Sequence, residues 1–146
     1  MSSDDPRIFS FGVALEAMAR LNSEFDRSLR ASCGISQAWF EALLRLARSG
    51  GHLSMSDLAE QIALTSGGVT RMIDRLSEEG LAERQACASD RRVQYAVITD
   101  AGRAKLEEAV GVHLEDLTRE FTSRMSADEL ALVTEVMDRL RQPVHS

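Results

Sequence analysis

Little in this chain punctuates or cross-links it. Two cysteines, Cys33 and Cys87, are too few for a disulfide framework and have no metal-ligand spacing. The three histidines, His52, His113 and His145, stand apart, so no zinc site is expected. The two prolines, Pro6 and Pro143, bracket the folded part instead of interrupting it. No apolar run approaches the roughly 18 residues of a membrane span, and the start MSSDDPRIF lacks a basic region followed by an apolar one. The reading is a soluble, cytoplasmic protein with no membrane partner. Phosphate loops, nucleophile elbows, metal motifs and paired carboxylates are missing too, which argues against an enzyme and against a cofactor. A basic excess is also missing: 17 Lys+Arg stand against 23 Asp+Glu, for a net charge of −6. Nucleic-acid binders usually carry a basic surface, so that balance has to be resolved by region.

The regions differ. Residues 1–64 sum to −2, residues 65–99 to 0 and residues 100–146 to −4, so the middle is the least acidic. All the basic residues but Lys105 are Arg, whose planar fork suits bidentate contacts with phosphate or guanine. With 146 residues, 44% of them hydrophobic, the chain is long enough for one domain with a real core.

Hydrophobic spacing sets the element order. Asp5-Pro6 reads as an N-cap followed by proline at the first helical position. Phe11, Leu15, Met18, Leu21, Phe25 and Leu29 then form a helical stripe as far as about Arg30. Ser36 caps a second helix bearing Trp39, Phe40, Leu43, Leu44 and Ala47, which stops at Ser49-Gly50-Gly51. A short helix follows from Met55 to Ile62, and Thr65 caps the next, with Val69, Met72, Ile73 and Leu76 on one face. Gly80 lies just past it, where a C-terminal glycine is favoured. The period then changes, giving strands at 81–85 and 93–98 joined by Ala88-Ser89-Asp90-Arg91-Arg92. Thr99 caps a long helix from Asp100 to about Met125, and Ser126-Ala127-Asp128-Glu129 is a capping box opening a last helix through Leu140. The expected class is mainly α (α+β), in the order α-α-α-α-β-β-α-α.

The third and fourth helices, joined by a tight turn, have the arrangement of a helix-turn-helix. Leu58, Ile62, Leu64, Val69 and Met72 supply its apolar contacts, Ala59 allows close approach, and Ala63 stands where the turn often has Gly. Ser66, Gly67, Thr70, Arg71, Asp74 and Arg75 face outward on the second of these helices. With Gly68, the small residues of the first turn let backbone amides approach phosphates or base edges, and the helix N-terminus adds partial positive charge. Two adjacent glycines at a helix start cost about 1 kcal/mol each against Ala, which is hard to explain for an ordinary surface helix. The hairpin tip, Asp90-Arg91-Arg92, suits insertion into a minor groove, with Asp90 placed to pair with the Arg92 guanidinium. The first and last stripes (Leu130, Val133, Met137 and Leu140 in the latter) exceed what so small a core can cover, which points to a homodimer.

From Ile35 to Gly102 the chain resembles the MarR family of transcriptional regulators. The resemblance is carried by Ser56-Asp57-Leu58-Ala59-Glu60, Val69-Thr70-Arg71-Met72-Ile73-Asp74-Arg75-Leu76, Glu79-Gly80-Leu81-Ala82-Glu83-Arg84, and Ser89-Asp90-Arg91-Arg92 with Val97-Ile98-Thr99-Asp100-Ala101-Gly102. Ile35-Ser36, where Leu-Thr is common, and Ile98, where Leu is usual, are small departures. The resemblance implies one domain over 1–146, with a winged helix-turn-helix lobe at about 35–100 and a helical dimer module at about 6–32 and 103–142. It implies a homodimer on a pseudo-palindromic duplex, usually a repressor released by a small molecule. The DNA-contact candidates are Thr65, Ser66, Gly67, Gly68, Thr70, Arg71, Arg75, Asp90, Arg91 and Arg92. By resemblance, an effector sits between module and lobe, lined by Met18, Asn22, Trp39, Phe40 and Leu43, with Arg20 or His52 anchoring an anionic group. Two alternatives stay open: a winged-helix module that binds protein, and a regulator that senses oxidants through a thiol. Arg71 and Arg75 speak against the first; against the second, Cys33 is expected after the first helix and Cys87 by the wing, whereas some family members carry a sensing thiol within that helix.

Overall fold

Asp5 opens the first helix, α1 (Pro6–Cys33), its carboxylate accepting from the Arg7 backbone N–H. This computed structural model describes residues 2–62 and 66–144. The other helices are α2 (Gln37–Arg48), α3 (Met55–Gln61), α4 (Ser66–Glu78), α5 (Asp100–Glu120) and α6 (Ala127–Leu140). Their starts follow the expected chemistry. Ser36 accepts from Trp39 N, Thr99 from Gly102 N, and Ser126 with Glu129 forms the reciprocal capping box. The expected cap of α4, Thr65, lies outside the described residues, as do Ala63 and Leu64 of the turn and His145.

The strands form one antiparallel sheet in the order β1-β3-β2, with β1 His52–Ser54, β2 Ala82–Ala86 and β3 Gln94–Ile98. Strands β2 and β3 are the expected hairpin, in register from Ala82 opposite Ile98 to Ala86 opposite Gln94. Strand β1 is an addition to the expected order: it pairs His52 with Val97 and Ser54 with Tyr95. Three residues carry no readable period, and the partner lies more than forty residues along the chain. The helix expected to reach Met125 ends at Glu120 instead, because Phe121 leaves helical geometry at ψ −70° and a 3-10 turn (Thr122–Arg124) follows.

The core joins α1, α2, α3, α4, the sheet and α5. Leu29, Leu43, Leu46, Leu58, Val69, Ile73 and Leu76 are fully buried in it, with Leu106 and Ala109 from α5. The α1 stripe divides. Phe25 and Leu29 enter the chain's own core, whereas Phe11, Leu15 and Met18 are 68%, 59% and 50% exposed. Ile8, Phe9 and Val13 are exposed beside them, as are Met137 and Leu140 on α6. Among the described residues, no helix is long and apolar enough to cross a membrane.

Candidate nucleic-acid interface

Helix α4 turns Val69, Met72, Ile73 and Leu76 into the core, and this leaves Gly67, Arg71, Asp74 and Arg75 exposed. Gly68 and Thr70 are half-buried at the edge of that face. Ser66 begins the helix, but its side chain, like the whole of Thr65, lies outside the described residues. Asp74, the acid beside these arginines, is paired off: Arg84 of β2 donates through Nη1 to Asp74 Oδ1 at 3.0 Å. What α4 presents is therefore a glycine-softened first turn, at the helix end whose dipole favours anions, and two arginines one turn apart further along, Arg71 in the middle and Arg75 in the last turn.

The hairpin turn is closed by Cys87 N donating to Val93 O at 2.9 Å and Val93 N donating to Asp90 O at 3.0 Å. Asp90 Oδ1 then accepts from Arg92 N at 3.0 Å and Nε at 3.1 Å, and Oδ2 accepts from Nη2 at 3.2 Å. These bonds hold the Asp90 carboxyl below the usual carboxylate range. The Arg92 side chain is nevertheless 91% exposed. The turn thus fixes the aim of a guanidinium while leaving it available, and Arg91 is exposed beside it. Such a tip suits a narrow, strongly negative groove.

A cavity of about 440 Å³ opens beside α4, toward the junction of α1 and α2. Arg30, Trp39, Gly68, Arg71, Met72 and Arg75 are among the residues that line it, so three arginines and a tryptophan share it. Of the seven effector candidates, Trp39 alone lines this cavity. Met18 is exposed on α1, and Phe40 and Leu43 belong to the core. Arg20 donates to Glu120 of α5 at 2.9 Å, and Asn22 accepts from Gln37 Nε2 at 3.3 Å. His52 lies on β1 with its ring 5.9 Å from that of Tyr95. The sequence did not point to Arg30 or to the Asp74–Arg84 pair, since the partners come together only through helix packing and the hairpin.

The two thiols differ, and Cys33, expected beyond the first helix, is instead the last residue of α1, because the helix continues past Arg30 to its left-handed cap at Gly34. Burial pushes the Cys33 thiol up, whereas the Ser89 hydroxyl, 3.2 Å from Cys87 Sγ, pulls that thiol down with help from backbone N–H groups. Among the described residues, no group of three His, Cys, Asp or Glu side chains is arranged to hold a metal ion.

Comparison with known proteins agrees with this geometry. A family model described as MarR family matches residues 34–93. The HTH-type transcriptional regulator MhqR of Bacillus subtilis is 28% identical over 130 residues, covering 89% of this chain and 88% of the relative. An uncharacterized HTH-type transcriptional regulator of Bacillus cereus is 29% identical over 108 residues, 74% of this chain and 71% of its own. Among solved structures, a MarR family regulator from Streptomyces coelicolor in complex with DNA superposes with a TM-score of 0.88 at 24% identity, covering 98% of this chain and 91% of that one. A mutant MarR from E. coli complexed with operator DNA gives 0.77 at 26% identity, over 95% of this chain and 99% of the other. These relatives are transcriptional regulators, not enzymes.

Proposed function

We propose that the chain is a MarR family transcriptional regulator, a homodimeric, sequence-specific repressor of its own or neighbouring genes, relieved by a small anionic aromatic ligand. The observation that carries the DNA reading is the pairing of an exposed, arginine-bearing α4 with a hairpin whose Arg92 is aimed by Asp90 yet left open to solvent. Thr70, Arg71 and Arg75 enter the major groove and read base edges. Arg91 and Arg92 reach the minor groove, and the amides of Ser66, Gly67 and Gly68, with Thr65, seat the backbone phosphates. The exposed apolar residues of α1 and α6 support the dimer, which places two such surfaces on a pseudo-palindromic duplex. With a net charge of −6, affinity rests on a few placed arginines and on two-site avidity, not on a broad basic surface.

The cavity shared by Arg30, Arg71, Arg75 and Trp39 supports relief by a ligand. An aromatic carboxylate bound there engages the same two α4 arginines that the duplex needs, so the two exclude each other. A gel shift on the DNA upstream of the chain's own gene tests the reading. Salt-sensitive, sequence-selective binding is expected. Arg92→Ala should weaken binding to every sequence, whereas changes at Thr70 or Arg71 should alter base preference. Absence of any selective shift, or parental binding by both kinds of variant, overturns it.

A further inference from the structure

Beyond Ala82, which is fully buried, the hairpin leaves the core: Glu83, Arg84, Gln85 and Ala86 are all exposed. Strand β1 supports it only as far as Ser54 opposite Tyr95, so its outer part is a two-stranded ribbon. Such a ribbon is marginal by itself and free to twist. The alternation along β2 puts Arg84 on the same side as Ala82, toward α4, and there its guanidinium bonds Asp74 at 3.0 Å. Asp74 is on the exposed face of α4, one turn past Thr70 and next to Arg75. With side chains 38% and 50% exposed, the pair adds little to stability. A bare carboxylate on a face that meets phosphates would also be repelled by them.

The geometry points to a positioning role: the Asp74–Arg84 ion pair is a strut that holds the hairpin at a fixed distance from α4, so that groove contacts by the helix and by Arg92 register together. The inference rests on the DNA reading proposed above. It makes a distinctive prediction of sign, because simple removal of negative charge at a DNA-facing surface tightens binding to any duplex. Loss of a strut weakens binding to the specific one.

The test uses the full chain, a duplex enriched by the parent from a random pool, and a scrambled duplex as control, read by fluorescence anisotropy. Asp74→Ala and Arg84→Ala should each weaken the enriched duplex about three- to fivefold, and the double variant should be no worse than either alone. Asp74→Ala should leave the scrambled duplex within about twofold, and melting temperatures should stay near the parent's. A nitroxide on Cys87, which is half-buried where Cys33 is buried, reads the strut without DNA: its motion should increase in both single variants. Tighter binding by Asp74→Ala overturns the strut, as do additive losses in the double variant or unchanged motion at Cys87. A parent that enriches no duplex overturns the DNA reading itself, whereas enrichment followed by additive losses overturns the strut alone.

Discussion

Gly102 sits where β3 leads into α5, and adding one methyl there should cost the protein much of its stability. Thr99 ties this joint together: its hydroxyl donates to Gly80 O at 2.6 Å and accepts from Gly102 N at 3.0 Å. Thr99 N donates to Leu81 O at 3.2 Å. A Cβ on Gly102 would overlap Leu81 O and lie 2.9 Å from Ile98 Cγ1, whereas ordinary contact begins near 3.4 Å. The first obstacle is backbone, so no rotamer change relieves it. Forced overpacking costs about 1–3 kcal/mol, and loss of the Thr99 cap adds about 1 kcal/mol. For a chain of this size each kcal/mol lowers Tm by roughly 2–4 °C, so Gly102→Ala should melt about 5–15 °C below the parent. Circular dichroism melts measure this directly, with Gly111→Ala as control, since open space surrounds that position of α5 in the protomer. A Gly102→Ala protein melting within about 2 °C of the parent would refute the reasoning.

His113 packs between Phe25 and Phe40, with ring centroids 5.1 and 5.0 Å away, and burial pushes its pKa below 6.5 although Asp116 and Glu41 pull upward. The folded state therefore favours neutral imidazole, so this contribution is full above about pH 6.5 and is lost as pH falls toward the folded value. Melts from pH 7.5 to 5 should fall more steeply for the parent than for His113→Phe; equal slopes would contradict the assignment. Leu15→Glu, at a position 59% exposed in the protomer, should halve the mass seen by sedimentation if a second copy covers α1. An unchanged mass would remove α1 from the interface. Asp90→Ala frees Arg92 from its three bonds, and should weaken selective binding roughly tenfold despite removing a negative charge. Tighter binding in an anisotropy titration would mean that aim is unimportant.

Local chemistry made most of the helices legible in the sequence. Asp5-Pro6, Ser36, Thr99 and the Ser126–Glu129 box each act within four residues, so the signal and the structure it dictates lie together. The hairpin was legible for the same reason, as two runs of period two around a polar turn. Strand β1 was not, because three residues become a strand only when β3 arrives beside them. Nothing in the composition of α5 marks its end at Phe121, where neither Gly nor Pro interrupts the helix. At the site, the bond between Asp90 and Arg92 spans two residues and was readable, whereas Asp74 and Arg84 are ten apart and meet through tertiary packing. The same holds for Arg30, which joins Arg71 and Arg75 around the cavity from another helix, and for His113, set by the packing of α1 and α2 on α5. The overall charge of −6 misleads for a related reason. It averages the strongly acidic stretch 100–146 with a neutral stretch at 65–99, in which two of the five acids, Asp74 and Asp90, are bound to arginines.

Hydroxyl-radical footprinting of the full chain on its enriched duplex tests the central claim most directly. A symmetric dimer reading DNA through α4 and the hairpin should protect two half-sites related by a two-fold axis, about one helical turn or 34–36 Å apart. Each should show a protected stretch of backbone flanked by a minor-groove patch, and Arg92→Ala should erase the flanking patches. One asymmetric protected stretch, or flanks that survive Arg92→Ala, would contradict the account.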